Sequence, residues 1–153
     1  MDDLAELYQQ VILDHNRRPR NFGKLEGATG HADGYNPICG DKVTVHVKMD
    51  RDVITAVMFE GTGCAISKAS ASLMTAAVTG KPAAEAEGIF HRFQSVVTAD
   101  PSLGVDPSEV QQLGRLAALA GVRAFPSRIK CATLAWHALR AAVAATDQEI
   151  STE

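Results

Sequence analysis

The chain has 153 residues, 46% apolar and 22% charged, with a formal net charge of −3 at pH 7. This composition excludes a disordered or fibrous protein, and the length suits one domain with a sizeable core. The mild negative charge, with no basic run longer than Arg17-Arg18, argues against a nucleic-acid partner, and no apolar stretch approaches the ~20 residues of a membrane span.

The first predicted element is an amphipathic helix. Leu4, Leu7, Tyr8, Val11 and Ile12 recur at i, i+3, i+4, i+7 and i+8, and Arg17-Arg18-Pro19 supplies a basic end and a stop. Its start carries neither a secretion signal nor a basic transit peptide, so a cytoplasmic location is expected. A loop rich in Gly and Asn follows to about Gly30, and His31–Tyr35 reads as a short strand.

Val43, Val45 and Val47 alternate with Thr44, His46 and Lys48, the period-two signature of a half-buried strand. Asp50-Arg51-Asp52 reads as a hairpin connection to a partner strand from Val53 to Phe59. After Gly61-Thr62-Gly63 the periodicity becomes helical, with Ile66, Ala69, Leu73 and Ala76 on one face and an end near Gly80. Pro82 opens a further helix with Ala86, Ile89, Phe90, Phe93 and Val97 as its apolar stripe. Asp106-Pro107 reads as an N-cap followed by proline at the first helical position. Val110, Leu113, Ala117 and Ala120 continue that helix to Gly121. A last helix runs from about Ser127 to Thr146, before a polar tail from Asp147 to Glu153. The order implies an α+β fold, a small three-stranded antiparallel sheet packed against about five helices. No repeat, linker or boundary divides residues 1–153, so a single domain is expected.

Cys39 precedes the Val43 strand, Cys64 opens a helix after Gly63, and Cys131 lies in the first turn or so of the last helix. An odd cysteine count without a secretion signal disfavours a disulfide framework. Helix N-termini stabilise thiolates, which suits Cys64 and Cys131 to reactivity or metal binding. With Asp41 the cysteines supply four soft or anionic donors, the number a tetrahedral zinc needs. The gaps lack the short C-x₂₋₄-C spacing of a zinc knuckle, and a lone cysteine is more often a small buried hydrophobe. On spacing alone, a metal site, a catalytic thiol and plain burial all stay open.

Local sequence goes further. Asn36-Pro37-Ile38-Cys39-Gly40-Asp41, Gly61-Thr62-Gly63-Cys64-Ala65-Ile66-Ser67 with Ala69-Ser70, and Arg128-Ile129-Lys130-Cys131-Ala132 with Leu134 and Trp136 closely resemble the cysteine motifs of the SufU/IscU family of iron–sulfur assembly proteins. Asp14-His15 and Pro19-Arg20-Asn21 extend the resemblance to nearly the whole chain. IscU-type scaffolds carry a His immediately before the third cysteine and a Leu-Pro-Pro-Val-Lys motif nearby. Here Lys130 precedes Cys131, Phe125-Pro126-Ser127-Arg128 replaces that motif, and an extra helical segment is expected around 100–121. These features resemble the SufU branch, zinc-bound sulfur acceptors that work with a SufS-type cysteine desulfurase.

The resemblance implies Zn²⁺ held by Cys39, Asp41, Cys64 and Cys131, and sulfur carried on Cys39 to downstream iron–sulfur scaffold proteins. It further implies that the desulfurase offers a histidine to the zinc, freeing Cys39, while Arg128 orients the incoming sulfur. Three thiolates and a carboxylate would leave the site near −2, with Lys42, Arg128 and Lys130 as local cations, Lys42 reading as surface charge. No histidine is required as a ligand: His15 suits a helix end as a cation, and His31 reads as a surface residue. Two alternatives use the same donors, a non-enzymatic scaffold for cluster assembly and a purely structural zinc domain.

Overall fold

The computed structural model of the chain describes residues 2–37, 40–100, 102 and 107–148. Helix α1 spans Asp2–Arg17 and stops before Pro19, as expected. Tyr8, Val11 and Ile12 turn its apolar stripe toward the core.

Strands β1 (Gly30–Asn36), β2 (Asp41–Asp50) and β3 (Val53–Thr62) form one antiparallel sheet in the order β1-β2-β3. Arg51 turns the β2–β3 hairpin with a left-handed backbone, φ +59°. Strict alternation buries Val43, Val45 and Val47 on one face, and Val45 and Val47 pair with Phe59 and Val57 on β3. Both ends of the outer edge of β3 are bonded by non-strand backbone. Phe59 N–H donates to Asn21 O (2.9 Å) and Gly23 N–H to Phe59 O (2.7 Å). At the other end Ile54 N–H donates to Lys81 O (2.9 Å) and Gly80 N–H to Ile54 O (2.7 Å).

Helix α2 (Ala65–Val78) departs from the expected single stripe. Every residue from Ala69 to Thr75 is buried, while Ala76 is exposed. The helix is wrapped by α1, β3 and the last helix, so a 3.6-residue stripe does not describe it. Its small polar residues make this burial tolerable: Ser70 Oγ donates to Ala132 O (2.5 Å) and Thr75 Oγ1 to Ser72 O (2.7 Å).

Helix α3 covers Ala83–Val97, with Pro82 as its N-cap. The continuous helix expected from Pro107 to Gly121 is instead two pieces, α4 (Pro107–Gln112) and a 3₁₀ helix (Gly114–Ala124). The break falls where Gly114 adopts φ +61°, a left-handed conformation that ends an α-helix. Gly121 lies inside the 3₁₀ helix rather than closing it. The Asp106 cap expected from the sequence lies outside the described residues.

Helix α5 runs Pro126–Gln148, lies across β1 and β2, and packs against α2. The expected tail from Asp147 is helical through Gln148, and 149–153 lie outside the described residues. Trp136 of α5 is fully buried, stacked on Phe93 (centroids 5.4 Å apart) and Phe90 (6.0 Å) of α3. Among the described residues no helix is long and apolar enough to cross a membrane.

Candidate metal centre

The described ends of the β1–β2 connection are bonded to each other. Asn36 pairs with Asp41 at the end of the ladder, and Gly40 N–H donates to Asn36 O (2.8 Å). Gly40 takes φ +73°, which suits glycine. The turn delivers Asp41 as the first residue of β2, wholly buried.

The β3–α2 junction meets it. Cys64 is the N-cap of α2, and its backbone N–H donates to Asp41 Oδ1 (2.9 Å). Its Sγ lies 3.8 Å from Asp41 Oδ2. Cys131 of α5 is buried, with Sγ 3.7 Å from the Ser127 carbonyl oxygen. Donor atoms of Asp41, Cys64 and Cys131 all lie within 4.8 Å of one another.

A carboxylate without solvent access is costly unless paired or bound to a cation. One backbone N–H answers part of that cost, and two sulfurs beside the same carboxylate complete a donor set for a thiophilic cation. The chemistry of the residues present therefore fits a small tetrahedral metal such as zinc. The structure brings together three of the four expected ligands. Cys39, expected as fourth ligand and sulfur acceptor, lies outside the described residues.

The two helix-start cysteines expected from the sequence are not equivalent. Cys64 occupies a true N-cap. Cys131 is the sixth residue of α5, in its second turn, with its Sγ beside the Ser127 carbonyl of the same helix. Lys42, Arg128 and Lys130 are all exposed. Arg128 borders a groove of about 720 Å³ that also takes in Ile12, Cys64, Ile66, Val122 and Phe125, the last 61% exposed.

His15 corrects the expectation of a helix-end cation. It is buried, and its Nδ1 is hydrogen-bonded to Ser72 Oγ (2.7 Å), which also accepts the Arg20 N–H (2.8 Å). Burial, with help from the Arg20 and Arg115 charges, pushes its pKa below the usual 6.5. Arg20 meanwhile pairs with Asp14 (2.6 Å), and that hydrogen bond is the main cause of the lowered Asp14 pKa. Sequence reasoning matched Asp14-His15 and Pro19-Arg20-Asn21 as motif residues but missed the α1–α2 tie they make. His31 is exposed, as expected, and His46 lies 3.3 Å from Glu60.

A family model described as NifU-like N terminal domain matches residues 7–132. The chain is 44% identical over 142 residues to a zinc-dependent sulfurtransferase SufU of Bacillus subtilis, covering 93% of this chain and 92% of that protein. It is 42% identical over 143 residues to an iron–sulfur cluster assembly scaffold protein IscU of Streptococcus pyogenes, covering 94% and 86% respectively. A crystal structure of an iron–sulfur cluster assembly scaffold protein for the SUF system from Fervidobacterium islandicum superposes with a TM-score of 0.77 at 33% identity, covering 88% of this chain and 94% of that one.

Proposed function

The chain belongs to the NifU-like N-terminal domain family, and on that premise we propose that it is a zinc-dependent sulfurtransferase of iron–sulfur cluster assembly. It accepts persulfide sulfur from a SufS-type cysteine desulfurase on Cys39 and passes it to downstream scaffold proteins, in the cytoplasm and without nucleic acid or membrane. The whole chain acts as one SufU/IscU-like domain, with the segment around 100–121 as its added helical element. The observation that carries this reading is the convergence of Asp41, Cys64 and Cys131 within 4.8 Å, together with the 44% identity to a relative named as zinc-dependent.

Cys39, Asp41, Cys64 and Cys131 would hold the zinc. Bound there, the ion keeps cysteine sulfur deprotonated at neutral pH. Cys39 thiolate attacks the outer sulfur of the donor's persulfide, a reaction akin to thiol–disulfide exchange. A new S–S bond forms on Cys39, the donor's S–S bond breaks, and the donor cysteine leaves as a thiolate. The exchange needs no external oxidant or reductant. Arg128, exposed beside the Cys64 groove, orients the incoming sulfur or the loop that carries it.

The test is a desulfurase assay with the zinc-loaded and zinc-stripped protein and with Cys39→Ala. Zinc-loaded wild type is expected to stimulate the desulfurase and to carry sulfur by mass spectrometry, and Cys39→Ala to do neither. A Cys39→Ala protein that still stimulates turnover and carries sulfur would sink the acceptor role.

The 42% identity to a relative named as a scaffold supports a second reading, cluster assembly on the same donors. Lys130, exposed in front of Cys131, supplies no imidazole there. Metal analysis after oxygen-free purification separates the two readings. Stoichiometric zinc without visible charge-transfer bands favours sulfur transfer, whereas bound iron with such bands favours the scaffold.

A further inference from the structure

Two glycines frame Thr62 at the β3–α2 junction, and they are glycine for different reasons. Gly61 has φ +152°, and a Cβ there would run into the backbone carbonyl and Cα of residues 42 and 43. Its lack of a side chain is a requirement of the β2–β3 pairing. Gly63 is not among the glycines with positive φ, so its backbone would accept an ordinary L-residue. A Cβ on Gly63 would instead lie 2.5 Å from Asp41 Oδ1, 3.1 Å from Asp41 Cγ and 3.3 Å from Asp41 Cα. The tightest of these contacts is with the carboxylate, and the backbone Cα is the loosest.

The two oxygens of that carboxylate face different neighbours. Oδ1, against Gly63, accepts the Cys64 N–H (2.9 Å), while Oδ2 faces Cys64 Sγ (3.8 Å). We propose that Gly63 is a positioning residue for Asp41. Its bare Cα lets Oδ1 lie against the chain and bond to the first N–H of the α2 start, leaving Oδ2 as the one oxygen offered to the metal. The role rests on the reading of Asp41 as a zinc ligand. It gives the β3–α2 glycine pair a division of labour: Gly61 serves the fold, and Gly63 serves the coordination geometry. A ligand fixed through one oxygen keeps the donor count at four, the number zinc favours, rather than the higher counts that two-oxygen carboxylates support.

The experiment measures zinc affinity by competition with a chromophoric chelator for wild type, Gly63→Ala, Asp41→Ala and the double variant. Thermal unfolding of each metal-free protein is followed in parallel. Metal-free Gly63→Ala is expected to unfold like wild type but to bind zinc about 10- to 100-fold more weakly, the usual effect of disturbing a residue that orients a ligand. Because Gly63 acts through Asp41, the double variant should bind no more weakly than Asp41→Ala alone. Unchanged affinity in Gly63→Ala, or losses that add in the double variant, overturns the positioning role and leaves Asp41 as a ligand. Asp41→Ala binding as tightly as wild type overturns the ligand reading, and the positioning role with it. Should Gly63→Ala not fold, adding Asp41→Ala removes the clashing carboxylate and is expected to restore the fold. Failure to restore it assigns the clash to the backbone and overturns the proposal.

Discussion

Cys64 and Cys131 reach the same few ångströms from two regions held in different ways. The β3–α2 junction is fixed by backbone: Gly61 pressed against β2, Gly63 against Asp41, and an N–H donated to the carboxylate. The start of α5 is fixed by packing: Cys131 is buried about a turn and a half from a Trp136 stacked on Phe90 and Phe93. A geometric mount tolerates little local change. A packed mount tolerates local change and depends on a distant cluster of rings.

The largest perturbation should separate the two. Trp136→Ala removes a fully buried indole and is expected to cost about 3–5 kcal/mol in urea unfolding. In the metal-free protein it should also raise the alkylation rate of Cys131 while leaving that of Cys64 unchanged. A Cys131 that stays protected would show that packing is not what holds it. Gly61→Ala comes next, at about 1–3 kcal/mol from backbone strain alone. Its effect should run the other way, weakening zinc binding through Asp41 and Cys64 with Cys131 still shielded; equal exposure of both cysteines would erase the contrast.

The smallest effect is a pH dependence confined to the junction side, where His15 of α1 meets Ser72 of α2. The folded pKa of His15 lies below its unfolded value near 6.5, chiefly through burial. Its contribution to stability is therefore complete above about pH 6.5 and is lost as pH falls toward the folded value, because the unfolded chain takes up the proton first. Asp14, which opposes the shift, and Arg20 and Arg115, which reinforce it, are the charges that act on it. Denaturation midpoints from pH 7.5 to 5 should decline less steeply in His15→Gln than in wild type. Parallel slopes would remove His15 from the account.

Much of this was legible before any coordinates. The Val43–Val47 alternation defined a half-buried strand because one face of the sheet meets α5 and the other meets solvent. Periodicity failed on α2, where neighbours on several sides leave no polar face to read. It failed again at Leu113-Gly114, since apolar spacing of 3–4 residues persists through a 3₁₀ segment and hides the break. At the site, the residue types were readable from the motifs, but the pairing of Asp41 with the Cys64 N–H was not. That contact depends on how β2 and β3 register, a relation between residues 23 positions apart in the chain. His15 was misread for the same reason: its fate was set by Ser72, 57 positions away.

The bonds that Asn21–Gly23 and Gly80–Lys81 make to β3 carry a consequence beyond holding the sheet in place. An exposed strand edge is a template on which another chain can build, the first step toward ordered aggregates. Here both ends of that edge are already occupied by the protein's own loops, so an incoming strand would first have to displace four native backbone bonds. On the β3 side, then, the sheet is guarded against pairing with a second chain by the protein's own loops.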